Sequence, residues 1–585
     1  DGAERVLVDP DLVDPSGATT LDAWRPSNEG GLLAYQLSVG GTEESTLRVL
    51  DVTSGDHVDG PIDRARYSPI AWLPGGKAFY YVRRLPPEQL PADERQFHRR
   101  MYLHHLGTAP EQDVEVFGAG LSKTNYYGVS VSTDGRWLVV TAADGTAPRN
   151  DTWLADLSAC DPAAPELRPI QTGVDARAYP HVGRDGHLYV WTDRDAPRGR
   201  LVVADPEHPR PWRDLLGEDA ESVLEDYAIL DDLDRPLLLA SRTRHAISRV
   251  TVHDLGTGEQ LDELPLPGLG SIGGLSERPE GGHQAWFTYT DHTSPVRVLA
   301  FDAHTGEVTT WADSPGAVHV PAVRSRQVSY HSTDGTEVRM VVVSTADGPD
   351  RPRPTVLYGY GGFGLALAPA YSASILAWVE SGGVWATAGL RGGGEEGEAW
   401  HRAGMREHKQ NVFDDFHAAA EYLVNQGWTT PRQLAISGGS NGGLLVGRAL
   451  TQRPDSYRAA VCSAPLLDMV RYENVGLGAT WNDEYGTAAD PTQLGWLLSY
   501  SPYHHVRKGV AYPAVLFTVF DGDTRVDPMH ARKMCAALQA ATAADPDVAP
   551  VLIRAEGKVG HGARAVSRSV ELAADQLGFL AEYVG

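Results

Sequence analysis

The chain has 585 residues, 42% of them hydrophobic and 22% charged, so it carries material for more than one core and reads as a soluble protein of two or more domains. Its 51 basic and 77 acidic residues leave a formal charge of −26, which argues against nucleic acid or an anionic membrane as partner. Cys160, Cys462 and Cys535 are too few and too scattered for a disulfide framework or a metal cluster, which fits a reducing compartment.

No apolar run is long enough for a membrane span, and the first residues hold neither a basic region nor an apolar signal core, so a cytoplasmic location is expected. The chain opens Asp1-Gly2-Ala3-Glu4 without an initiator Met, so an upstream segment, with any signal it carried, is expected to have been removed by processing or truncation.

From the start to about residue 315 one theme recurs: a turn with Gly and often Asp or Asn, an apolar strand, a polar turn, and a second strand often ending near Asp. Leu32-Leu33-Ala34-Tyr35 leads to Leu47-Arg48-Val49-Leu50-Asp51, and Ala78-Phe79-Tyr80-Tyr81-Val82 leads to Met101-Tyr102-Leu103. Trp137-Leu138-Val139-Val140 leads to Thr152-Trp153-Leu154-Ala155-Asp156, and Leu188-Tyr189-Val190-Trp191 to Leu201-Val202-Val203-Ala204-Asp205. Two more copies run through Leu237 to Asp254 and Ala285 to Asp302. A spacing of about 45 to 50 residues, with little helical periodicity, is that of propeller blades. Six copies are present, and Arg5-Val6-Leu7-Val8-Asp9 reads as the last strand of an earlier blade.

The character changes after Pro315-Gly316. From Thr355 onward short buried-type strands alternate with helical stretches: Thr355 to Tyr358, Gly383 to Thr387, Leu434 to Ile436, Ala514 to Phe517 and Val551 to Ile553. Val412, Phe413, Phe416, Ala419, Ala420, Leu423 and Val424 mark one face of a helix between two of them. The alternation predicts an α/β-hydrolase-type domain at 317–585, with a mostly parallel sheet and helices on both faces, beside a propeller domain at 1–316.

Inside that sheet, Leu434-Ala435-Ile436 runs into Gly438-Gly439-Ser440-Asn441-Gly442 and then into a helix-forming stretch. A strand, G-x-S-x-G and a helix make a nucleophile elbow, with Ser440 exposed at the tip. The serine needs a base and the base an orienting carboxylate, supplied by the ends of later strands. Of Asp521, Asp523 and Asp527, the last reads as a helix N-cap before Pro528 and the first as a turn former, leaving Asp523. His561, flanked by Gly560 and Gly562, lies after the next strand; His530, His504 and His505 come too early. The Asn441 amide and a donor from the loop Tyr358 to Phe363 would form the oxyanion hole.

These stretches resemble the prolyl oligopeptidase family of serine peptidases. The matching motifs are Tyr358-Gly359-Tyr360-Gly361-Gly362-Phe363, Arg391-Gly392-Gly393-Gly394-Glu395, Gly438 to Val446, Ala479-Thr480-Trp481-Asn482-Asp483-Glu484-Tyr485-Gly486, Asp521 to Val526 and Gly560-His561-Gly562. The resemblance implies a triad of Ser440, Asp523 and His561, with Tyr360 and Asn441 as oxyanion donors. It implies a proline pocket of Trp481, Phe363, Tyr485 and Val526, and Arg525 bound to a carbonyl on the acyl side.

It further implies cleavage of short peptides after proline, a seven-bladed propeller as lid, no metal or organic cofactor, and a monomer. The alternatives are an oligopeptidase specific for basic residues, a peptide macrocyclase using the same acyl-enzyme, and a non-catalytic propeller scaffold. Family members begin with a segment that packs on the hydrolase domain, and this chain starts near the end of the first blade. A loosened first blade and an open or mobile domain arrangement are therefore expected.

Overall fold

The computed structural model describes residues 4–316, 320–562 and 564–585. Six antiparallel sheets follow one another at 19–62, 70–117, 125–171, 178–216, 223–263 and 271–312, each a meander with strands in chain order. In the sixth the innermost strand is split into Ser271–Ile272 and Ser276–Glu277, both paired with Gln284–Thr290.

Burial falls from the middle of each sheet outward. Ala78–Arg84 is buried along its whole length, whereas Gln260–Glu263 is exposed throughout. A strand covered on both faces must be continuously apolar or paired, and the strand at the rim need not be. The cover comes from the next sheet. Leu47 and Val49 of the first pack with Trp72 and Phe79 of the second, and Tyr80 and Met101 of the second with Leu138 and Val140 of the third. Trp137 and Leu154 meet Leu188, Tyr189 meets Leu224 and Leu238, and Leu239 meets Phe287 and Leu299. This face-to-face succession is a β-propeller.

Among the described residues the propeller has six sheets. Arg5 to Asp9, expected as an outer strand, joins none of them. A rim strand needs an inner neighbour to satisfy its amides, and this segment instead lies along the first sheet, where Arg5 donates to the carbonyls of Thr53 (2.8 Å) and Val52.

The second domain is one eight-stranded sheet. Its strands are β1 (Arg324–His331), β2 (Glu337–Ser344), β3 (Thr355–Gly359), β4 (Val384–Gly389), β5 (Leu434–Gly439), β6 (Ala459–Ser463), β7 (Ala514–Phe520) and β8 (Val551–Glu556). They lie in the order β1-β2-β4-β3-β5-β6-β7-β8, antiparallel up to β4 and parallel beyond. Alternate residues feed opposite faces, as the pleat requires. Leu357, Ile436, Cys462 and Phe517 pack against the helices Gln410–Asn425, Asn441–Gln452 and Met529–Ala541. Their neighbours Val356, Ala435, Val461 and Leu516 pack against Ala373–Glu380 and Val566–Val584.

The two domains are docked in this structure, where an open or mobile arrangement was expected. Arg149 holds Asp483 through two hydrogen bonds of 2.9 and 3.0 Å, Arg402 holds Asp175 at 2.7 and 3.0 Å, and Arg198 reaches Glu396 at 2.9 Å. Backbone contacts add to these, including Thr146 N to Thr480 O at 2.8 Å and Glu398 N to Pro197 O at 2.7 Å. Paired charges distributed over several sheets hold the seam. A cavity of about 900 Å³ lies between the fourth to sixth sheets and the segments around Leu365 and Glu398; Ser440 does not line it.

Candidate active site

The loops after β3, β5, β7 and β8 meet at one edge of the sheet, the C-terminal edge where open α/β folds place their chemistry. Ser440 occupies the turn between β5 and the helix Asn441–Gln452 with φ 57° and ψ −118°, a strained conformation for a residue with a side chain. The turn tolerates this because its neighbours have no Cβ. One on Gly438 would stand 2.3 Å from the Gly442 carbonyl oxygen, and one on Gly442 would stand 2.7 Å from that of Gly359.

Asp523 and His561 are brought together: Nδ1 of the imidazole lies 2.7 Å from Oδ2 of the carboxylate. The other oxygen, Oδ1, accepts the backbone N–H groups of Arg525 (2.9 Å) and Val526 (2.8 Å), which fixes the carboxylate plane. Among the described residues no hydrogen bond joins Ser440 Oγ to His561; catalytic contacts of this kind are often long without substrate. Asp527 accepts from Met529 N at 2.8 Å and so caps the following helix, while Asp521 faces Arg532 at 2.9 Å. His530 is buried, and its Nδ1 accepts the N–H groups of Leu467 and Asp468 at 3.3 and 3.0 Å.

Tyr360 follows β3 and its hydroxyl lies beside Ser440; burial raises its pKa to about 12, so the hydroxyl keeps its proton at neutral pH. The Asn441 amide opens the helix after Ser440 and has no carbonyl partner within it. The Asn441 side chain has a separate duty: Nδ2 donates to the Tyr360 carbonyl at 2.6 Å, and Oδ1 accepts from the Tyr485 hydroxyl at 2.7 Å.

Phe363, Trp481 and Tyr485 form an aromatic corner, with Phe363 edge-on to both at centroid distances of 6.5 and 5.6 Å. Trp481 and Val526 are buried, and Tyr485 is wholly so. Arg525 has a partner in the propeller. Its guanidinium is held by Glu43 of the first propeller sheet. That carboxylate also takes Arg66 at 2.6 Å and the Tyr67 hydroxyl at 2.5 Å.

Sequence reasoning missed Glu43, and it missed a buried set of charges behind the aromatic corner. Glu484 accepts from Lys409 at 3.0 Å and faces His401 Nε2 at 2.8 Å. Burial opposes charge on both acid and imidazole, but the pairing prevails: Glu484 falls to about 2 and His401 rises to about 9. Glu484 sits inside the motif that contains Trp481 and Tyr485, which was the available signal; nothing in the sequence points from it to Lys409 or His401.

A serine on an elbow, an Asp–His pair and two donors facing the serine, all beneath a propeller, define a serine peptidase. Residues 1–314 match the family model described as prolyl oligopeptidase, N-terminal beta-propeller domain, and residues 369–585 match that of the prolyl oligopeptidase family. The chain belongs to the prolyl oligopeptidase family. It is 35% identical over 586 residues to a prolyl endopeptidase of Elizabethkingia miricola, covering 99% of this chain and 80% of that one. It is 30% identical to prolyl oligopeptidase A of Amanita bisporigera, covering 99% and 78%.

A solved structure from work on two prolyl endopeptidases and their inter-domain dynamics superposes with a TM-score of 0.93 at 39% identity, covering 100% of this chain and 84% of that one. Prolyl oligopeptidase B of Galerina marginata, bound to a 35mer hydrolysis and macrocyclization substrate, superposes with a TM-score of 0.91 at 28% identity, covering 99% and 82%.

Proposed function

We propose that this chain is an endopeptidase that cleaves short peptides on the carboxyl side of proline. The observation that carries the reading is the 2.7 Å Asp523–His561 pair together with the strained Ser440 elbow, whose next residue Asn441 is hydrogen-bonded to Tyr485 of the aromatic corner. Ser440 Oγ attacks the scissile carbonyl carbon and its proton passes to His561 Nε2, while Asp523 holds the Nδ1 proton and stabilises the imidazolium. The Tyr360 hydroxyl and the Asn441 amide take the oxyanion. His561 returns the proton to the leaving amine, and water resolves the acyl-enzyme by the reverse path.

A flat indole suits a pyrrolidine ring, which has no N–H to satisfy. Arg525 reaches an acyl-side carbonyl when Glu43 yields one of its N–H groups. Specificity for basic residues would want an uncompensated carboxylate in the pocket, and Glu484, next to Tyr485 in the chain, is already neutralised by Lys409 and His401.

The test is kinetics on a fluorogenic peptide series varied at the residue before the cleaved bond, with fluorophosphonate labelling of Ser440. Preference for proline together with labelling is expected; labelling with preference for Arg would overturn the specificity, and no labelling of folded protein would overturn the enzyme. A second reading is supported by likeness to a dual function macrocyclase-peptidase of Galerina marginata, 29% identical over 615 residues. The same acyl-enzyme attacked by the substrate's own amine gives a ring, and product mass separates it from hydrolysis.

A further inference from the structure

Lys409, Glu484 and His401 take no part in the chemistry just described, yet they are buried directly behind it. Lys409 is 1% exposed, Glu484 2% and His401 3%. Burying such groups is costly even when they are paired, and apolar side chains of equal volume would fill the space at lower cost. What the charges add is direction. Lys409 Nζ spends one hydrogen bond on Glu484 and another, of 3.0 Å, on the carbonyl of Gly361.

Gly361 follows Tyr360, whose own carbonyl is held by Asn441 at 2.6 Å. Two consecutive carbonyls of the loop bearing the oxyanion hydroxyl are thus fixed by buried side chains. Both chains of contacts return to one turn, because Asn441 is held by Tyr485 and Lys409 by Glu484, and Nζ lies 5.3 Å from the Tyr485 ring centre.

The same chain of contacts reaches the propeller. His401 bridges Glu484 and Glu398 through its two ring nitrogens, at 2.8 and 3.3 Å. Glu398 in turn accepts from Arg177, at the edge of the fourth propeller sheet, at 3.2 Å. Every link from Arg177 to the Gly361 carbonyl is a hydrogen bond between partly or fully buried groups.

We propose that Lys409, Glu484 and His401 are positioning residues that hold the Tyr360 hydroxyl over Ser440, and that Glu398 and Arg177 make this placement depend on the docked propeller. The proposal rests on the proline-peptidase reading. A peptide aldehyde ending in proline adds Ser440 Oγ to its carbonyl carbon, the carbonyl oxygen becoming the oxyanion and the serine proton passing to His561. The corresponding peptide alcohol fills the same pocket without forming that bond.

Affinities for both would be measured on the full chain and on its Lys409→Met, Glu484→Gln and Arg177→Gln variants, with kcat and KM on a proline peptide. Lys409→Met and Glu484→Gln are expected to weaken the aldehyde by about tenfold or more, as loss of an oxyanion donor does. Alcohol binding and KM should stay within about twofold, and kcat should fall with aldehyde affinity. Arg177→Gln, which removes nothing from the hydrolase core, should act in the same sense by about threefold.

Equal weakening of aldehyde and alcohol, or of neither, would overturn the positioning role, and an unchanged ratio in Arg177→Gln would overturn the link to the propeller. If Lys409→Met fails to fold, the isosteric Glu484→Gln and the peripheral Arg177→Gln decide. A wild-type protein that binds neither compound and is not labelled at Ser440 would instead remove the peptidase reading itself.

Discussion

Glu43 of the propeller and Arg525, in the loop that carries Asp523, form an ion pair across the domain boundary. Burial opposes the charge on Glu43, but Arg525, Tyr67 and Arg66 outweigh it and hold the carboxyl below its usual range. Beside this pair Thr524 donates to the Thr42 carbonyl at 2.7 Å, and Gly41 packs against Gly560, the residue before His561. The propeller therefore touches the loops of both Asp523 and His561.

A double-mutant cycle of Glu43→Gln and Arg525→Met should give a coupling of roughly 0.5–3 kcal/mol in denaturant unfolding, the range for residues in one ion-pair network. A coupling indistinguishable from zero would show that the pair does not form in solution.

Gly41 has φ +71°, and a Cβ there would stand 1.8 Å from Gly560 N. Backbone cannot yield as a side chain does, so Gly41→Ala should push the propeller loop off the His561 loop. Slower fluorophosphonate labelling of Ser440 is expected, with the far-UV spectrum of each domain retained. Labelling at the wild-type rate would show that this contact does not matter to the site.

Asp523→Asn preserves shape but offers an amide where the Nδ1 proton needs a carboxylate. A fall in kcat of about 10⁴-fold is expected with little change in melting temperature, as in other serine peptidases with this change. Stopped assays with long incubation would measure the residual rate; a loss below tenfold would remove Asp523 from the triad.

Trp481→Ala removes the aromatic face from the corner with Phe363. The expected loss in kcat/KM is about ten- to a hundredfold on proline substrates, with alanine substrates affected much less. An unchanged preference for proline would eliminate Trp481 as the specificity element.

The buried charges predict a pH profile of stability. His401 is raised to about 9, so its contribution is complete below its ordinary value near 6.5 and is lost as pH climbs toward 9. Glu484 is lowered to about 2, so its contribution is complete above its ordinary value near 4.5 and is lost as pH drops toward 2. The groups facing His401 are Glu398 and Glu484, with Arg177 and Arg402 behind the first and Lys409 behind the second. Melting temperature should fall on both sides of pH 5 to 6, and Glu484→Gln should flatten both slopes. Parallel curves for the two proteins would contradict the pairing.

Much of the architecture was legible because it rests on local periodicity. Ala78 to Val82 alternates with turns at a blade's spacing, and Val412 to Val424 repeats at a helix's. The elbow was legible for a related reason: Gly438 and Gly442 record in the sequence where a Cβ would collide with backbone. Arg5 to Asp9 misled because its apolar pattern is that of a strand, whereas pairing depends on a neighbour that no local pattern reports.

The sequence by itself determined the two domains, the serine at the elbow, and the order in which Asp523 and His561 follow it. Those depend on steric limits and side-chain spacing within a few residues. Only the tertiary structure decided that Arg525 is met by Glu43 and that Glu484 is neutralised by Lys409 and His401. It alone decided that the domains dock with Gly41 against Gly560. Such contacts join residues far apart in the chain, and their energies come from burial and distance, quantities that exist only once the backbone has closed around them.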